Sequence, residues 1–384
     1  MTPAGVRLRC CCAHRFAALL GFAWLLGCEH SEPFGSRSFD SDQPFNSSPP
    51  IQLTLNRGPD RRAAWLPDGS GMLYSTQLPG RSDHDICLGE LPPGGGRQRA
   101  LTCDLSPTGP QLTEALESAA PFDDGHLAFV AATSPPGAIT PDQQALAISR
   151  VDDPATRTEL FSIPYTIPGR RMHGGLSQLN WLGPDRLVYL GEAVNLIAPC
   201  ASCELDTLRS GLDAVWVSLA NGTATRQVIP GSDNASGVSP GNNPDEVYYT
   251  LAGDTRVYRQ LLATGAVSQV HDFGPAGVAR DVHVIGTQLT AVVGGRVHFV
   301  DDPTLGPTQW DSGGLIHVID LANGSDVILD SPPQPSLFRR PRLSPSGAAV
   351  VAEAYPLMIT PGPVEGILDT TVSRVGDLFL FGQP

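Results

Sequence analysis

Lysine is absent from this chain, and all 25 basic side chains are arginine. We attribute that bias to base composition rather than to function. Charge is sparse, at 17% of residues, and no basic tract occurs. Acids outnumber bases and give a formal net charge of −14, which excludes nucleic-acid phosphates as the partner. Long helical periodicity is missing. So are a phosphate-binding Walker loop and a dinucleotide fingerprint. The most apolar stretch, residues 16–27, is too short to span a bilayer. What the chain has in quantity is glycine (41) and proline (36), the composition of many short strands joined by turns.

The N-terminus reads as a targeting segment. Arg7, Arg9 and Arg15 precede the apolar stretch, and Leu25-Leu26-Gly27-Cys28 closes it. That tetrapeptide resembles the bacterial lipobox, which implies cleavage after residue 27 and lipidation of Cys28. An ordinary signal peptide with a chance cysteine is the alternative. Several acyl chains on one residue make a stable membrane anchor. Residues 1–28 hold three arginines and no acid, so their removal takes the net charge from −14 to −17. Glu29 suggests sorting to the outer membrane, with the body in the periplasm or at the cell surface. Residues 29–50, rich in Ser, Pro, Asp and Asn, read as a disordered tether.

From residue 51 a pattern recurs. An apolar residue and a Pro/Asp/Gly turn lead into a strand rich in Leu, Val and Tyr. Trp65-Leu66-Pro67-Asp68-Gly69, Phe122-Asp123-Asp124-Gly125, Trp181-Leu182-Gly183-Pro184-Asp185 and Val238-Ser239-Pro240-Gly241 begin four copies. Val284-Ile285-Gly286-Thr287 and Leu343-Ser344-Pro345-Ser346-Gly347 begin two more. The spacing is about 56 residues, and six such repeats fill 51–384. Asn221-Gly222, Thr264-Gly265 and Asn323-Gly324 mark a second hairpin within repeats. The expected fold is all-β: a six-bladed β-propeller of four-stranded antiparallel blades. Residues 377–381 look like a third strand with no fourth after it. Residues 51–55 are a spare strand at the other end, so pairing of the two would close the ring.

These motifs, best kept in 64–69 with Leu73-Tyr74-Ser75, resemble the TolB-type, WD40-like propeller repeat of bacterial envelope proteins. The resemblance implies a blade and not a reaction. TolB carries an extra N-terminal domain that docks a peptidoglycan-associated lipoprotein. Here only a tether stands in that place.

Function should sit on the rim bearing the connections between second and third strands. Four of these are long: 134–143, 192–211, 302–314 and 355–370. They carry Leu196, Trp310, Tyr355 and Met358, types enriched at interfaces. Arg61-Arg62 and Arg339-Arg340 precede the turns of the first and sixth repeats at one offset. In a closed ring these repeats are neighbours, so four guanidiniums would gather to hold an anionic ligand or acidic partner peptide. The alternative is that they pair with local carboxylates. Cys87, Cys103, Cys200 and Cys203 are the remaining cysteines of an exported chain and read as disulfide partners. Cys200-Ala201-Ser202-Cys203 lacks the histidine of haem attachment and the further ligands of a zinc site. Cys87 and Cys103 offer another pairing. Gly237-Val238-Ser239-Pro240-Gly241 matches a nucleophile elbow but occupies a blade turn. His173, His283 and His298 show no ligand spacing, and no cofactor or metal is implied. The expected role is a non-catalytic scaffold binding an envelope protein or peptide. A propeller hydrolase or lyase, and a glycan or small-anion binding protein, are the alternatives.

Overall fold

The fold is that of a computed structural model. It describes residues 50–54, 60–77, 86–92, 99–103, 114–122, 125–133, 143–153, 156–164, 166–167, 170–171, 176–191, 196–197, 206–207, 212–219, 223–294, 314–332, 336–361, 368–372 and 376–382. Six antiparallel meanders follow one another, and we letter their strands a to d from the axis outwards. The first is Asp60–Trp65, Met72–Gln77, Ile86–Leu91 and Arg99–Cys103. The second is Glu114–Pro121, His126–Thr133, Gln143–Arg150 and Thr158–Pro164. The third is Ser177–Gly183, Arg186–Gly191, Asp213–Ser218 and Thr225–Val228, and the fourth is Ala235–Pro240, Glu246–Leu251, Arg256–Leu261 and Ala266–Asp272. The fifth is Ala279–Ile285, Gln288–Val293, Leu315–Asp320 and Asp326–Ile328. In the sixth, Ser336–Leu343, Ala349–Pro361 and Asp377–Gly382 take Ile51–Gln52 as their d strand.

That last pairing is the seam expected from the two chain ends. Ile51 faces Leu380 and Gln52 faces Phe379, and the Leu53 amide donates to the Leu378 carbonyl at 2.7 Å. Six apolar clusters show that the ring is closed, because each spans one junction. Leu73 packs with Leu127 and Phe129 between blades 1 and 2, and Val130 with Leu187 and Tyr189 between 2 and 3. Val188 packs with Val247 and Tyr249, Tyr248 with Leu289, and Ile316 with Phe338 and Phe381. Leu53, Val351 and Leu378 meet Met72, Tyr74 and Leu91, which joins blade 6 to blade 1. The b strands are buried on both faces. The d strand Thr225–Val228 is exposed throughout, as befits a perimeter.

A polar rule operates beside these clusters. The a-strand residue opposite the first buried residue of the b strand is Trp65, Pro121, Trp181, Pro240, Val284 and Leu343 in blades 1 to 6. The two tryptophans donate their indole N–H to the preceding blade, Trp65 to the Arg342 carbonyl at 3.0 Å and Trp181 to the Ala120 carbonyl at 2.7 Å. Val284 and Leu343 donate their backbone N–H instead, to Ser239 Oγ at 2.9 Å and His283 Nδ1 at 3.1 Å. Pro121 and Pro240 have no N–H to satisfy. The tryptophan of the repeat is thus a bolt between blades.

One expectation needs correction. Residues 355–370 are not a loop: Ala349–Pro361 runs past the body of the blade and pairs with Leu368–Val372, from Leu357 opposite Val372 to Pro361 opposite Leu368. Pro356, Pro361 and Pro363 mimic a turn-rich segment, but a proline can sit in a strand where its missing donor is not needed. The 192–211 insertion contains a short pairing of Leu196–Ile197 with Asp206–Thr207.

Candidate functional site

Every a strand carries a register shift against its b strand, at Arg61/Ala64, Leu116/Ser118, Ser177/Asn180, Ala235/Gly237, Arg280/His283 and Arg339/Arg342. Such bulges re-aim side chains. Four of them place a non-glycine residue at positive φ: Arg62 (58°), Gln178 (50°), Asp281 (55°) and Arg340 (47°). That conformation costs of order 1–3 kcal/mol per residue and persists only when the surroundings enforce it.

The enforcing contacts form one buried polar network. Gln178 Nε2 donates to Asp281 Oδ1 at 2.6 Å, reaching past blade 4, and its Oε1 accepts the Val238 amide. Gly237 makes room for this, since a Cβ there would stand 2.7 Å from the Asp281 nitrogen and 2.6 Å from that of Val282. Asp281 Oδ2 accepts the Arg340 amide at 3.2 Å. Arg340 Nη1 lies 3.3 Å from Glu353 Oε1, which also accepts the Arg62 amide at 2.7 Å. The Tyr355 hydroxyl donates to Glu353 Oε2 at 2.7 Å. Arg342 spans the ring, donating to Asn180 Oδ1 of blade 3 at 3.1 Å.

Burial raises the Glu353 carboxyl, but Arg340, Arg339, the Tyr355 hydroxyl and the Arg62 amide outweigh it and hold the group at about 2. Burial, then the Glu353 charge, pushes the Tyr355 phenol above its ordinary range. Burial and then Arg340 bring Arg342 down to about 10, so it stays charged at neutral pH. Burial with the Arg342 charge keeps His283 neutral, as its Nδ1 must be to accept the Leu343 amide.

The structure therefore gathers Arg61, Arg62, Arg339, Arg340 and Tyr355 at one end of the a strands of blades 1 and 6. It also divides them. Arg340 is buried and bonded to Glu353, which is the local pairing named as the alternative. Tyr355 is 8% exposed and strand-bound, its hydroxyl committed, so it is not a loop aromatic open to a ligand. Arg61 and Arg339 are partly exposed. Two members escaped the sequence reading. Arg280 stands in blade 5, whose repeat keeps little beyond Gly286. Arg342 lies one residue before the turn motif, where no repeat signal marks it. Trp310, Cys28, Cys200, Cys203, His173 and His298 lie outside the described residues.

Ser239 is fully buried, donating to the Pro240 carbonyl and accepting the Val284 amide. It is a junction residue and has no solvent access as a nucleophile. Among the described residues no group of three or more His, Cys, Asp or Glu could hold a metal ion. None of their helices is long and apolar enough to cross a membrane.

Cys103 ends the d strand of blade 1 and is the direct ladder partner of Cys87. Direct antiparallel partners have Cα atoms about 4.5–5.5 Å apart, within the span of about 4.4–6.8 Å that a disulfide bridges. For protein produced in an oxidising compartment we expect non-reducing peptide mapping to link tryptic peptides 82–97 and 100–150, with Cys200 and Cys203 confined to 187–209. Free thiols at 87 and 103 would count against the bridge.

No protein-family description matches the sequence, and neither does any curated protein. Similar solved structures include TolB from Acinetobacter baumannii, at 13% identity and TM-score 0.47 over 82% of this chain and 64% of that one. XC5397 from Xanthomonas campestris, described as a gluconolactonase, is 12% identical with TM-score 0.49 over 87% and 89%. An oligogalacturonate lyase in complex with manganese is 12% identical with TM-score 0.45 over 87% and 80%. At these scores the likenesses carry no assignment of activity.

Proposed function

We propose that this chain is a lipid-anchored envelope propeller that binds a partner protein or peptide without catalysing a reaction. The difference between its two rims carries this reading. The a–b rim is drawn tight by short turns, such as Leu66 to Gly71 at 2.9 Å and Ser344 to Ala349 at 2.8 Å. The b strands of blades 2, 3 and 5 end towards the opposite rim, where the connections through 134–142, 192–211 and 302–313 leave them, and the hairpin of blade 6 extends there beside Arg61 and Arg339. Long connections confined to one face of a rigid repeat scaffold are where such proteins receive partners. Anchoring through Cys28 and a tether over 29–50 would hold that face free of the bilayer. The buried, committed states of Ser239 and His283 support a non-catalytic role.

The test is photo-cross-linking in intact envelopes from probes on the hairpin and, as a control, on the a–b rim. We expect a discrete adduct from hairpin positions only. Equal labelling from both rims, or none from either, would remove the reading.

A further inference from the structure

The register shifts give a numbering of the ring that the sequence does not. The last ladder residue before the shift is Arg61 in blade 1, Leu116 in blade 2, Ser177 in blade 3, Ala235 in blade 4, Arg280 in blade 5 and Arg339 in blade 6. One position thus holds arginine in three blades that are consecutive around the closed ring, and small or apolar residues in the other three. We propose that Arg61, Arg280 and Arg339 form an arc-shaped oxyanion site at the mouth of the central channel, and that its ligand is a carboxylate-rich peptide segment. The proposal rests on the partner-binding reading above and names the chemistry that the partner would present.

Several observations define the arc. Arg280 is 8% exposed, and its Nη1 is fixed on the Gly294 carbonyl at 2.7 Å, where the b strand of blade 5 ends. That places it on the rim of the long connections. The Arg339 charge acts on Arg280 on one side and on Glu353 and Tyr355 on the other. Arg61 acts on the same Tyr355, so the three positions share one electrostatic neighbourhood. The buried Nε of Arg61 has no hydrogen-bond acceptor among the described residues. Asp281 and Glu353 are engaged from beneath, by Gln178 and the Arg340 amide and by Arg340, Tyr355 and the Arg62 amide. Below the arc the channel is crossed by the Arg342–Asn180 bond, so a ligand enters from this rim.

Carboxylates suit the arc because guanidinium N–H groups recognise them in pairs: Arg61 and Arg339 are partly exposed towards the ligand, while Arg280, buried and held by the Gly294 carbonyl, adds its charge beside them. The protein as a whole is acidic, at −14. Its general field repels such a peptide, so any affinity must come from a local arrangement.

The experiment is fluorescence anisotropy with the full-length protein in detergent and labelled octaglutamate, with octaglutamine as the uncharged control. We expect octaglutamate to bind with an affinity that falls as salt rises, and octaglutamine not to bind. Arg61→Gln and Arg339→Gln should each weaken binding about tenfold, the scale of losing a charged hydrogen bond. Arg256→Gln, on an outer strand beside Asp254, should change nothing. Melting curves identical to the parent's would show that the variants are folded, and Arg61→Lys should restore part of the affinity. No binding of octaglutamate at millimolar concentration, or unchanged affinity in the Arg61→Gln/Arg339→Gln double variant, would overturn the proposal. Displacement by equimolar inorganic phosphate would overturn the assignment to carboxylate. Should octaglutamate bind through these arginines while no envelope adduct forms, the partner reading fails and the site stands. The opposite pair of results removes the site and leaves the partner reading.

Discussion

Glu353→Ala should lower the unfolding free energy by about 3–5 kcal/mol, because it leaves the Arg340 guanidinium buried without its counter-charge. Arg340 is 8% exposed and Glu353 1%, so water cannot replace the lost carboxylate. The same change strands the Arg62 amide and the Tyr355 hydroxyl. Those groups hold a bulge residue of blade 1 against blade 6, so the damage falls on a ring junction. Chemical denaturation would measure it, and a loss under about 1 kcal/mol would mean that the network does not hold the junction. The carboxyl at about 2 also predicts an acid limb. Its native value is below the unfolded one, so its contribution is complete above the unfolded range. It is lost as pH falls towards about 2.

The second large effect has the opposite sign. Burial, then the neighbouring Asp60 charge, raises Asp377 to about 7, while Gln52 and Thr54 act against the rise. Gln52 Nε2 donates to Oδ2 at 2.9 Å, and the buried Oδ1 has no donor among the described residues. Native protein therefore holds a proton here that the unfolded chain releases near pH 4. Between those values stability must fall as pH rises, and above about 7 the fall is complete. At about 1.4 kcal/mol per pH unit, the ceiling is about 4 kcal/mol. Asp377→Asn keeps an acceptor for Gln52 and removes the charge that burial and Asp60 oppose. Its melting temperature should exceed the parent's at pH 8 and match it near pH 4. Equal melting temperatures across that range would show that the seam holds no such proton.

Blade number and ring closure were legible because their signals are local. Pro-Asp-Gly and Asn-Gly turns report on a few residues at a time, and the spare strand at 51–55 needed only the incomplete sixth blade to find its place. The site was half legible. Arg61 and Arg339 stood out because each precedes a well-kept turn motif. Arg280 holds the same register position ahead of a degenerate turn, and a bulge leaves no mark in the order of residues. The inward role of Arg340 follows from a positive φ next to the bulge, again invisible in one dimension. Tyr355 was misplaced because nearby prolines outweighed the strand pattern around it.

The bolts between blades make the six modules non-interchangeable. Leu343 offers its amide to the histidine ring of the module before it, and Val284 to a serine hydroxyl. Set either module behind blade 2, and the matching position would be Ala120, with no side chain to receive the proton. Gene duplication could have copied these sheets freely, but reshuffling them would leave amides without acceptors. The order of the ring is written in its hydrogen-bond acceptors.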